Sequence, residues 1–215
     1  MRRILLFEKF GLVNENVIIP QEYLEFLDML KEMGVPTDLY GTGKYKTVGH
    51  LWQEIKEGET KLEIEDGNLV RRVEFVGARI LYKKGEQWIR LYEDRQVFKD
   101  GRIRKRTNMP YSAAEKFKSG EDPKMVIVRG VEEELGIKLS ENQFVFYNKN
   151  EIENNDDYPG IKSIHTGHEF LVILNNEQYK EEGYTESQKD KDVYFVWRPI
   201  GIVKESILYS ILLNL

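Results

Sequence analysis

Apolar residues keep helical spacing early in the chain and alternating or continuous spacing later. Tyr23, Phe26, Leu27, Leu30 and Met33 form one stripe that stops before Gly34 and Pro36, which predicts a helix opened at Pro20. Leu51, Trp52 and Ile55 follow Thr47, a suitable N-cap, and predict a second helix ending near Gly58. Residues 1–67 therefore read as a mostly helical N-terminal extension whose stripes are ordinary core packing. From residue 68 the pattern changes to strands and turns. Residues 72–82 and 87–92 are strand candidates, and Asp100-Gly101 between two apolar-basic runs is a two-residue hairpin signal. Further strands are expected near residues 144–147, 168–174 and 193–197, a long polar loop at 177–192 and a closing helix at 202–213. Strands, a helix, strands and a helix make residues 68–215 one domain of the α+β class.

The helix between the two sets of strands carries the chemistry. In Gly120 to Ile137, GEDPKMVIVRGVEEELGI, Asp122 is an N-cap, Pro123 suits the first helical position, and Gly136 suits a left-handed C-terminal residue. Ile127, Val128, Val131 and Leu135 keep helical spacing, with Val126 off that stripe. Glu132, Glu133 and Glu134 stand near the C-terminus, where each charge opposes the helix dipole by roughly 0.3–1 kcal/mol. A solvated surface is one reading of that run. The other is a counter-charge: Mg²⁺ takes oxygen ligands and keeps waters that bridge to phosphates.

The stretch resembles the Nudix box, G-x5-E-x7-R-E-U-x-E-E-x-G-U with U aliphatic. Glu121, Arg129, Val131, Glu133, Glu134, Gly136 and Ile137 fall in register, while Glu115 stands at the leading Gly and Gly130 replaces the Glu after the Arg. The resemblance implies an α/β/α sandwich with a mixed sheet. It further implies hydrolysis of a pyrophosphate bond in a nucleoside diphosphate derivative, with Mg²⁺ or Mn²⁺ held by Glu133 and Glu134. Arg129 would brace the loop through Glu121. The carboxylate missing at 130 needs a substitute, for which Glu115 is the first candidate and Glu151, Glu153, Asp156, Asp157 and Glu169 are others. The competing expectation is a Nudix-like module that binds a nucleotide or a protein partner without hydrolysing it, for which Gly130 is the best argument.

Composition bounds the rest. The 215 residues are 40% hydrophobic and 32% charged, enough for a sizeable core. Cysteine is absent, which excludes a disulfide framework and thiolate chemistry and agrees with a cytoplasmic location. The apolar run near Met1 is too short for a signal peptide, and no stretch approaches the ~18 apolar residues of a membrane span. A net charge of −5 argues against bulk nucleic-acid binding. The apolar end at 207–215 would suit a homo-oligomer interface.

Three further features compete for a role. Arg102, Arg104 and Arg106 share one strand face by period two, where guanidinium groups suit the phosphates of a nucleotide or diphosphate substrate. Residues 41–47, GTGKYKT, suggest a phosphate loop but lack its spacing, and read as a flexible basic connector. His165 and His168, three apart before a strand, could ligate zinc with a third ligand from the acids nearby, or His168 could act as a general base or simply pack in the sheet.

Overall fold

The computed structural model describes residues 17–18, 22–106, 109–116, 118, 120–153 and 157–200. Among the described residues, ten strands and three α-helices follow one another along the chain. They are β1 (Val17–Ile18), α1 (Tyr23–Glu32), α2 (Val48–Lys56), β2 (Thr60–Glu65), β3 (Asn68–Lys84), β4 (Gln87–Phe98) and β5 (Ile103–Lys105). After these come β6 (Ala113–Lys116), α3 (Pro123–Leu135), β7 (Phe144–Glu153), β8 (Lys162–Ile173), β9 (Tyr184–Ser187) and β10 (Lys191–Pro199). The fold is α+β, as the alternation of elements requires. It gathers into two compact units. One comprises Met1–Val76, Lys116–Val126 and Asn148–His168, and the other Gly77–Glu115, Ile127–Tyr147 and Glu169–Leu215. No described helix is long and apolar enough to cross a membrane.

The first unit is built on α1, α2 and the β2–β3 hairpin. Phe26, Met29 and Leu30 of α1 are buried, and Gly34 at φ 77° lets the chain leave the helix. Thr47 caps α2 in a capping box with His50, its hydroxyl accepting from His50 N at 3.1 Å. β2 buries alternate residues Thr60, Leu62 and Ile64 and pairs antiparallel with β3 across Asp66-Gly67. Both turn residues have positive φ, 48° and 81°, the geometry of a tight hairpin. These elements close a core with Tyr40, Tyr158 and Ile161. The region before residue 67 is therefore not wholly helical, since residues 60–65 alternate at period two.

In the second unit, β3 turns back through Gly85 into β4, with Leu81 opposite Arg90. β10 pairs antiparallel with β4 from Lys191↔Phe98 to Pro199↔Ile89, and the register shifts at Tyr194/Phe195. β9 adds to β10, and β5 folds back on β4 through the hairpin expected at Asp100-Gly101. The polar stretch at 177–192 is thus no long loop. Its middle is strand β9, pinned because Gly183 lies against β10 so closely that a Cβ there would stand 2.0 Å from the Phe195 carbonyl oxygen. Ala78, Ile80, Leu91, Val131, Phe170, Leu171 and Val172 are core residues of this unit. The expected helix at 202–213 and the apolar end at 207–215 lie outside the described residues.

Candidate active site

Helix α3 is built as its caps require. Asp122 Oδ1 accepts from Lys124 N at 2.8 Å, and Gly136, at φ 67°, takes the left-handed position after the last turn. The buried stripe runs through Val126, Ile127, Gly130, Val131 and Leu135, with Val128 only half-buried. Val126 is therefore part of the stripe, because positions spaced by one, three and four share a face of this width. Glu134 falls beside that stripe and is half-buried, while Glu132 and Glu133 are exposed, Glu132 lying 3.8 Å from Lys138.

A cleft of about 290 Å³ opens in the second unit. Carboxylates come to it from four places: Glu133 and Glu134 on α3, Glu115 on β6, Glu93 on β4 and Glu186 on β9. Among its described lining residues Arg106 is the only cation, and Tyr111, Val193 and Phe195 give it an apolar wall. Arg106 Nε lies 3.4 Å from Glu93 Oε1, which also accepts from Gln96 Nε2 at 2.8 Å. Glu186 accepts from Gln188 Nε2 at 2.7 Å. Glu134 accepts from Ala114 N at 3.3 Å. Burial first, then the negative charge of Glu186, raises the Glu134 carboxyl to about 8, with Glu115 and Glu93 adding and the Ala114 amide relieving.

Gly130 and Glu115 meet at this cleft. A Cβ on Gly130 would stand 3.1 Å from Glu115 Cβ and 3.6 Å from its Cγ, so the strand-borne glutamate overlies the position where the box pattern expects a helix-borne one. A second close approach fixes the wall: a Cβ on Gly77 would stand 2.5 Å from the Tyr111 ring, whose hydroxyl donates to Glu169 at 2.7 Å.

The donor set is all carboxylate oxygen, which suits Mg²⁺ or Mn²⁺. Burial raises the Glu134 carboxyl most, and the neighbouring carboxylates add a negative charge that a divalent cation would offset. Among the described residues, no three acidic or histidine side chains converge on one point.

The other residues singled out from the sequence are distributed as follows. Arg106 lines the cleft. Arg104 is exposed on β5, and Arg102 Nε is held by Asp100 Oδ2 at 2.7 Å. Arg129 is half-buried on α3. Glu121 belongs to the first unit, where its Oε2 accepts from Lys118 N at 2.8 Å and shapes the loop before the helix. Glu151 accepts from Thr166 at 3.3 Å, Glu153 pairs with Lys162 at 3.3 Å and Asp157 with Lys46 at 3.4 Å. None of these acids lines the cleft, nor does Glu169, while Asp156 lies outside the described residues.

Residues 41–47 are pinned, not loose. Lys46 Nζ pairs with Glu54 at 2.9 Å, Lys46 N donates to the Asp157 carbonyl, and Thr47 is spent on capping α2. His165 lies 3.4 Å from Arg71, whereas His168 lies 3.2 Å from Glu74. Residues three apart on a strand project to opposite faces, so the two histidines cannot share an ion. Sequence reasoning missed Glu93 and Glu186. A lone acid in a strand gives no signal, and Glu186 sat in a stretch read as loop.

No family model matches the sequence, and no curated protein matches it. Among solved structures, the chain is similar to a MutT/nudix family protein from Enterococcus faecalis at 15% identity and a TM-score of 0.40, over 59% of this chain and 43% of that one. The chain thus spans less than half the length of that protein. It is also similar to the Ap4A hydrolase of C. elegans, at 12% identity and a TM-score of 0.34 over 59% and 79% of the two chains. A third similarity is to the NUDIX domain of NrtR from Shewanella oneidensis, complexed with ADP ribose, at 12% identity and a TM-score of 0.35 over 60% and 73%. At such values, what the cleft can do is read from its own side chains.

Proposed function

We propose that this cleft hydrolyses a pyrophosphate bond in a nucleoside diphosphate derivative with the help of Mg²⁺ or Mn²⁺. The observation that carries the reading is Glu115 overlying Gly130. The carboxylate missing from the helix is supplied by the neighbouring strand, so Gly130 marks a relocated acid instead of a lost one. Glu115, Glu133 and Glu134 would hold the ion. When bound, it offsets the charge that develops on the phosphate oxygens. Arg106 holds the adjoining phosphate by charge-assisted hydrogen bonds. Glu186, oriented by Gln188, accepts the proton of the attacking water. The water oxygen bonds to phosphorus, and the bridging P–O bond breaks with its electron pair leaving on the second phosphate. Tyr111, Val193 and Phe195 exclude bulk water from one side. Outside the cleft, Glu121 shapes the approach to the helix. The absence of cysteine supports a cytoplasmic setting.

The test is turnover of a panel of nucleoside diphosphate derivatives with Mg²⁺ or Mn²⁺. Glu115→Gln and Glu134→Gln should each lower kcat/KM by about 100-fold or more, the scale of one lost electrostatic contact in the transition state. The swap Gly130→Glu with Glu115→Gly should recover part of the activity that Glu115→Gln loses. A Glu115→Gln variant as active as the wild type would sink the assignment. One observation favours the alternative of a binding module without turnover: no three acids converge among the described residues. Nucleotide binding without any cleavage across the panel would select it.

A further inference from the structure

The cleft is too small to enclose a whole nucleoside diphosphate derivative. Its volume of about 290 Å³ lies just below the roughly 300–1,000 Å³ range that encloses a drug-sized ligand. Part of any such substrate therefore lies outside, over the rim. On the β4–β5 side that rim is strand β5, exposed along its whole length. Gln96 lines the cleft and stands directly opposite Arg104 in the antiparallel register. Opposite residues of an antiparallel pair project to the same face, about 5 Å apart at Cα. Arg104 therefore stands beside Gln96 on the cleft's own face, one strand further out, with Arg106 two residues along. The three arginines of this arm do not act alike. Arg102 is held by Asp100 and lies over the Phe98 ring, and Arg106 faces Glu93 inside the cleft. Among the described residues, no carboxylate pairs with Arg104.

We propose that Arg104 meets an anionic group on the part of the substrate that projects from the cleft, so that the substrate carries a further phosphate beyond the bond cleaved. Inside, carboxylates and a divalent cation take the scissile diphosphate. At the rim, a guanidinium offers a fork of donors that fits a phosphate and gives nothing comparable to a neutral sugar. This specificity rests on the hydrolase reading above, and a phosphate-extended chain is preferred over a sugar-linked diphosphate.

The experiment compares adenosine triphosphate with ADP-ribose, which share a nucleoside and differ in the charge of the distal part. In the wild type, kcat/KM should favour the triphosphate by about tenfold or more. Arg104→Met should lower that value about 10- to 100-fold, as befits one charge-assisted contact, while leaving ADP-ribose within about twofold. Arg104→Lys should restore part of the loss. Lys105→Met, on the opposite strand face, should change neither. Equal use of both substrates by the wild type, or an equal loss on both in Arg104→Met, would overturn the inference. If neither these two compounds nor any other of the panel is cleaved, the hydrolase reading fails by itself. Binding of their α,β-methylene analogues then decides the charge preference: a triphosphate preference lost in Arg104→Met sustains it, and equal binding removes it.

Discussion

Glu54 is the centre of a buried ion cluster in the first unit, and neutralising it should cost that unit much of its stability. The carboxylate is 8% exposed and receives Arg71 Nη2 at 2.7 Å, Lys46 Nζ at 2.9 Å, Lys116 Nζ at 2.9 Å and Thr60 Oγ1 at 3.3 Å. Arg71 is 1% exposed and lies over the Tyr158 ring. Burial opposes ionisation of Glu54, but Arg71 and Lys116, with hydrogen bonds from Lys116 and Lys46, outweigh it and bring the carboxyl from 4.5 down to about 2. At about 1.4 kcal/mol per pH unit, that difference contributes about 3 kcal/mol. Because the folded value is the lower one, the contribution is present above 4.5 and is lost as pH falls through about 2. Glu54→Gln removes it and leaves Arg71 buried without its counter-charge, for a total of roughly 3–5 kcal/mol at neutral pH. Urea unfolding of both proteins from pH 7 to pH 2 measures the difference directly. It should be several kcal/mol at pH 7 and shrink towards pH 2. A difference below about 1 kcal/mol at pH 7, or one that does not change with pH, would refute the reasoning.

Four further outcomes are expected. Glu134 keeps its proton up to about pH 8, so a bound ion has to displace it. Mn²⁺ affinity should rise about tenfold per pH unit below 8 and then level off, with proton release visible by calorimetry in two buffers; affinity independent of pH would rule this out. Without metal, the raised carboxyl of Glu134 stabilises the fold below 4.5, and that contribution drains away as pH rises through about 8. Glu134→Gln should flatten this slope in thermal unfolding. Gly77→Ala drives a methyl into the Tyr111 ring and should cost about 1–3 kcal/mol, read as a fall of several degrees in Tm; an unchanged Tm would mean that the wall yields freely. Gly183→Ala combines φ 85° with a contact of 2.0 Å to backbone, so it should unseat β9 and with it Glu186, reducing both stability and turnover more than Gly77→Ala does.

Much of this protein follows from local rules. Thr47 and Asp122 start their helices, Gly34 and Gly136 end theirs, and Asp100-Gly101 turns β4 into β5, because caps and tight turns are settled within a few residues of chain. The spacing of Arg129, Glu133 and Glu134, with Gly136 closing it, is likewise legible, since one helix orders it. What no local rule could supply is the company these residues keep. Glu134 is half-buried because its turn adjoins the α3 stripe, and that burial first, then the charges of Glu186, Glu115 and Glu93 that β9, β6 and β4 bring to the same cleft, raises its carboxyl. His165 and His168 look paired in the sequence, yet a strand sends them to opposite faces. Gly130 is the sharpest case. In the sequence it is a missing ligand. In the folded chain it is the space over which Glu115 stands, because close packing of a helix on a strand brings together atoms that fourteen intervening residues separate.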